Sequence, residues 1–404
     1  MTSRNGRCAA RWSARSAIAT DRKAAAGQSG ERSQAIEGLR GLAALSVLGF
    51  HVWLYRDERP KPRTELFDRV MFNLHLGLLC FFVLSGFLLW RSFAAAALAD
   101  SGTVGTLPYA RRRFARIVPA YWASIAGCLA AYAIVGVDSM IPPLRELPLF
   151  LLFLQNYSVS TLMEINPVLW TLGVEMAFYC LLPVLGTAAV MLGRGRAWRQ
   201  AGLLVVLAAV TFAWNATFHA EKSNEVARKA LPAYLACFAA GMMVALWVES
   251  RRRRGESPLR PVATASLFMT GVALVALGGT WKEMPGTLVD LRAPFINFVP
   301  SVGFALLVAA VSAGSGRWAR APGVLPLAAA GVISYGLYLW HVPVILVMWE
   351  MGWLPTDLAA RMAVVLAASI ALGWTSWRLV ERPAIAWGAR DARRRGATPV
   401  GRPG

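Results

Sequence analysis

Acidic residues are scarce in this chain. Its 404 residues hold 22 Asp and Glu against 42 Lys and Arg, with four histidines and five cysteines. The cysteines (Cys8, Cys80, Cys128, Cys180, Cys237) show no paired spacing, and four fall inside apolar runs, where a lone cysteine is a small packing residue. No Cys-x-x-Cys or His-Glu-x-x-His pattern occurs, which leaves a metal site without support. The first 35 residues lack the apolar core of a secretory signal. They read as a disordered basic tail, and 386–404 as a second, cytoplasmic one. No large polar block interrupts the sequence between them, so residues 36–385 are expected to form a single domain.

Apolar residues fill that domain. The chain is 56% hydrophobic with a mean hydropathy of +0.48. Runs long enough to cross a bilayer recur from about residue 38 to 380, the mark of an all-α integral membrane protein. Ten crossings are expected: 38–55, 72–93, 117–136, 168–192, 201–219, 230–248, 262–280, 294–313, 324–349 and 359–380. Loops on the N-terminal side of these spans carry 28 Lys and Arg against 8 Asp and Glu, and loops on the other side carry 11 against 13. The positive-inside rule then places both termini in the cytoplasm. The net charge of +20 is thereby a topology signal rather than a nucleic-acid one. Residues 143–157 are apolar but too short to cross, and are expected to form a re-entrant or interfacial segment.

Ionisable residues within the spans are few: Arg40, His51, His75, Glu175, His219, His341, Arg361 and Arg378, with Glu37 at an inner edge. Charges and imidazoles are costly in a bilayer and mark reaction centres or pathways. His75 and His219 lie at span ends and read as interfacial; Arg361 and Arg378 can snorkel. Arg40 and His51 differ from these. Eleven residues bring them within roughly 20° of one helix face, about 16 Å apart along the axis. Glu175 and His341 fall at a depth similar to His51, in the outer half of the membrane. A carboxylate beside a neutral imidazole suits general-base chemistry. Each of the three is equally open to a reading as hydrogen-bonding glue between helices. Arg113 and Arg116, at i and i+3, either flank the inner membrane edge or clamp a phosphorylated ligand. The run at 251–254, four consecutive arginines, reads as a stop-transfer cluster.

Six strings then act together: EGLRGLAALSVLGFH, GLLCFFVLSGFLL, RRRFARIVPAYW, LWTLGVEMAFYCLLP, SYGLYLWHVPV and VERPAI. In this order they resemble the motifs of the membrane acyltransferase-3 family, whose members O-acylate surface polysaccharides, Nod factors and some macrolides. The resemblance implies ten membrane helices in the inner (plasma) membrane and no permanently bound cofactor. It implies transfer of an acyl group, acetyl in the first instance, from cytoplasmic acyl-CoA to a hydroxyl of an extracytoplasmic glycan. Membrane lipid surrounds the protein, and nucleic acid is not expected as a partner. Carried onto this sequence, His51 and Glu175 are the catalytic candidates, and Arg40, Arg113 and Arg116 the acyl-CoA-binding ones. His341, Tyr338, Ser85 and Trp170 are candidates for lining the site. Two positions depart from the family pattern: a second glutamate is Met176 here, and an acidic residue before FFVLSGF is Leu79. A multi-helix exporter of a glycan or lipid-linked sugar is the alternative, with its His and Glu residues as a proton relay. The two halves of the chain show no internal repeat of the kind such transporters carry.

Overall fold

Long runs of Leu, Val and Ala satisfy their backbone groups internally only as helices when water is excluded. No strand forms among the described residues. The computed structural model describes the backbone of 5–56, 66–100, 104–218, 224–281 and 295–395; side chains are described from Gly30 to Arg390 within these, Trp281 excepted. His219 and most of both basic tails lie outside the described side chains. Ala35, at the edge of the N-terminal tail, is fully buried.

The long helices are α1 (Asn5–Leu54), α2 (Gly77–Ala99), α3 (Thr106–Val135), α4 (Leu169–Gly193), α5 (Ala197–Phe218) and α6 (Leu235–Arg253). They continue with α7 (Pro261–Trp281), α8 (Phe298–Ala313), α9 (Leu325–Val332), α10 (Ser334–Glu350), α11 (Leu358–Ser376) and α12 (Arg382–Arg395). Among the described residues eight helices are long and apolar enough to cross a membrane, and ten when each of two bent pairs counts as one span. The crossing expected over 324–349 is such a pair: α9 and α10 meet at 77°. The bend falls at Ile333: α9 packs on α1, and α10 packs on α11 and on α1. Residues 143–157 form only short turns and the five-residue helix Leu147–Leu151.

Lipid is as apolar as leucine, so helices in a membrane associate through close packing and small residues at contacts. The most extensive contact joins α2 to α6. There a Cβ on Gly86 would stand 2.2 Å from the Phe238 carbonyl oxygen, and one on Gly241 would stand 1.9 Å from that of Val83. Phe178 of α4 stacks on Phe238 with ring centroids 3.9 Å apart. The first helix is held in the same way. A Cβ on Gly38 would meet the Pro322 oxygen at 1.6 Å, and one on Gly41 the Leu327 oxygen at 2.1 Å. This glycine face locks α1 against α9 and the turn before it, and Arg40 projects from another face toward the bundle interior. At the far end of α1, Trp53 Nε1 donates to Asp68 at 2.9 Å and Arg56 pairs with the same carboxylate at 2.7 Å. Arg361 does not snorkel. It is buried, donating to the Tyr55 and Pro355 carbonyls at 3.0 and 2.7 Å, where it closes the last turn of α1.

Candidate functional site

Between α1, α2, α3, α4 and α10 lies a cavity of about 330 Å³. Arg40 enters it from α1, and Arg113 with Arg116 from α3, one helical turn apart on one face. Glu175 and Tyr179 enter from α4 at i and i+4, and Ser85 from α2. Ser85 Oγ donates to Glu175 Oε1 at 2.5 Å, and the Tyr179 hydroxyl donates to the same oxygen. Arg40 pairs with Glu37 at 3.2 Å. Both carboxylates on the cavity wall are thus engaged. Arg113 and Arg116 have no ion-pair partner among the described residues, and Arg113 Nε is buried without a hydrogen bond. Ser334, whose buried Oγ is likewise unpartnered, opens the first turn of α10 onto the same space. Guanidinium forks without carboxylates, together with the positive end of a helix, make a seat for phosphate oxygens.

The two histidines meet on the far side of a thin apolar layer. Leu78, Phe81 and Tyr338 line the cavity and pack with Val47, whose carbonyl is bonded to His51. His51 Nδ1 lies 2.9 Å from the Val47 oxygen and 3.0 Å from His341 Nε2. His341 Nδ1 lies 3.1 Å from the Leu337 oxygen. A carbonyl only accepts, so each Nδ1 carries the proton. His341 Nε2 is then a bare acceptor that shares the single His51 Nδ1–H with the Val47 oxygen, and His51 Nε2 keeps its lone pair. Such a ring is set to take a proton from a hydroxyl. His341 is buried, whereas His51 is only half-buried. Tyr338 links the two halves of the site. It borders the cavity, shares a hydroxyl bond with Thr171 Oγ1 at 2.7 Å, and places its ring 5.8 Å from that of His341.

The structure therefore gathers Arg40, Arg113, Arg116, Glu175, Ser85 and Tyr338 on one cavity and joins His51 to His341. The contact expected between Glu175 and His51 is not made. The carboxylate faces Ser85 and Tyr179, while the ring takes a second ring as its partner. Trp170 does not line the cavity; it packs on Tyr234 and beneath Lys229. His75 sits in an aromatic group with Phe50 and Phe72, one ring removed from His51. One residue of the region lies in the VERPAI string but is not among the site candidates named from the sequence. Glu381 closes a π-helical turn (Trp377–Glu381), is buried, accepts from Ser376 Oγ at 3.2 Å, and lies within electrostatic reach of Arg116 and Arg40. A lone carboxylate before Arg-Pro at the end of an apolar span is the signal that could have found it.

Residues 33–378 match the model of a family described as an acyltransferase domain. The chain is 28% identical over 374 residues to Nodulation protein 10 of Rhizobium leguminosarum bv. viciae, covering 86% of this chain and 92% of that protein. It is 26% identical over 391 residues to a protein of Komagataeibacter xylinus provisionally named membrane-bound transacylase BcsY, covering 91% and 87% of the two chains. No solved structure matches significantly.

Proposed function

Because the chain belongs to the acyltransferase-3 family and is a multi-pass membrane O-acyltransferase, we propose that it moves an acyl group, acetyl in the simplest case, from cytoplasmic acyl-CoA to a hydroxyl of a cell-surface glycan across the inner membrane. One observation carries the reading. A cavity with two unpaired arginines and a histidine pair stand at opposite ends of one stretch of α1, separated by a single layer of side chains. The charge bias of the loops supports placing the arginine end at the cytoplasm.

Arg40, Arg113 and Arg116 hold the donor's phosphates, and its pantetheine arm passes outward between Phe81 and Tyr338 toward His51. His51 Nε2 removes the acceptor's proton as the hydroxyl oxygen bonds to the thioester carbon. The C–S bond then breaks, and the leaving thiolate takes that proton back from the imidazolium. His341 accepts the Nδ1–H throughout and fixes the ring. Tyr338, held by its hydroxyl bond to Thr171, borders this path. Glu175, tied by two hydroxyls, adds a fixed negative charge within electrostatic reach of Arg40.

Purified protein in detergent, given acetyl-CoA, is expected to release free CoA only when a hydroxyl-bearing glycan is added, with label appearing on the glycan. Unconsumed acetyl-CoA across a panel of surface glycans would end this reading.

A further inference from the structure

A second cavity, of about 530 Å³, lies beside the first, and Glu37 and Leu88 line both. It is bounded by the ends of α2, α6 and α8 and by the stretch of α1 before Glu37. Four arginines face it: Arg32, Arg91, Arg251 and Arg252. The last two belong to the run of arginines at 251–254, so their place in the fold goes beyond arresting a span. Arg251 is fixed by Glu256 at 2.6 Å and by the Ser257 carbonyl at 2.7 Å, and Arg252 by both oxygens of Glu249. Arg32 and Arg91 have no carboxylate partner among the described residues; the Arg91 guanidinium lies over the Phe87 ring. The Ser312 hydroxyl, also on this wall, is buried and unpartnered. Val248 and Pro258 add an apolar surface.

We propose that this second cavity receives the adenosine 3′-phosphate end of the donor, leaving Arg40, Arg113 and Arg116 for its diphosphate. The proposal rests on the acyl-CoA reading above and says where the nucleotide goes. Its size falls in the range of small-ligand sites. Unpaired guanidiniums suit a phosphate dianion, and an apolar wall suits a purine. A wall shared with the first cavity, at Glu37 and Leu88, favours a nucleotide over a lipid headgroup, which would offer the same phosphate chemistry. Arg91 lies six residues beyond Ser85 on α2, or about 9 Å, a distance one ligand can bridge.

The test compares acetyl-CoA with its 3′-dephospho form in the wild type, in Arg91→Ala and in the Arg32→Ala/Arg91→Ala pair. The wild type is expected to prefer acetyl-CoA by about tenfold or more in kcat/KM. The double variant should bring that ratio close to one through KM. A ratio unchanged in the variants, a wild type indifferent to the 3′-phosphate, or an equal loss with both donors overturns the proposal; the last is what a lipid-headgroup site would give. If neither donor supports glycan-dependent CoA release, the acyl-CoA reading itself has failed. Equilibrium binding of adenosine 3′,5′-bisphosphate to the same proteins then still decides about the cavity. Loss of binding in the double variant supports it, and equal binding refutes it.

Discussion

His341 Nε2 stands 3.0 Å from His51 Nδ1, and both Nδ1 atoms face backbone carbonyls one turn earlier in their own helices. A second imidazole thus occupies the place that a carboxylate takes beside many catalytic histidines.

Removing this support should slow the chemistry without emptying the donor site. His341→Ala is expected to lower kcat by roughly ten- to a hundredfold, the worth of one orienting hydrogen bond in a dry site, with KM for acetyl-CoA little changed. His341→Gln, whose amide oxygen can still accept from His51 Nδ1, should recover part of the loss. Steady-state kinetics of CoA release measures both, and equal kcat values for the two variants would deny His341 its orienting role.

The unpaired arginines should act on binding. Arg113→Ala or Arg116→Ala is expected to raise KM for acetyl-CoA about ten- to a hundredfold and to leave kcat within a few-fold. Arg113→Lys should restore only part of the affinity, because an ammonium cannot reproduce a planar two-point contact. Donor titrations would check this.

Glu175 is the shared acceptor of two hydroxyls, so its loss is expected to cost stability as well as activity. Glu175→Leu leaves Ser85 and Tyr179 unpaired, at about 1–3 kcal/mol for each buried donor, while Glu175→Gln keeps one acceptor. Thermal unfolding in detergent should place Leu below Gln and Gln below the wild type.

A purely structural prediction concerns α2 and α6. Alanine is the better helix former, yet Gly241→Ala would set a Cβ 1.9 Å from the Val83 oxygen and push the two helices apart. Overpacking of this kind costs about 1–3 kcal/mol, so the variant should melt earlier than the wild type. An unchanged or raised melting temperature would show that the contact yields.

Much of this site is legible in the sequence. The spacing of Arg40 and His51 on α1, and of Arg113 and Arg116 on α3, follows from helical period alone, and hydropathy locates the spans that carry them. What period and hydropathy cannot supply is lateral position. His51 and His341 are 290 residues apart, and their contact depends on how α10 packs against α1. That packing in turn depends on the bend at Ile333, where no proline breaks the sequence. Similar depth leaves Glu175 and His341 as equal candidates for the partner of His51, and packing gives the place to the imidazole. Arg251 and Arg252 read as a topological charge cluster because a sequence shows the end of a span but not the cavity beside it.

If His51 performs the proton transfer in acyl transfer, glycan-dependent CoA release by purified His51→Ala reads its loss without an intermediate step. The rate is expected to fall about 10²- to 10⁴-fold with an unchanged melting temperature and unchanged acetyl-CoA binding. Transfer at the wild-type rate by that folded, donor-binding variant would contradict it.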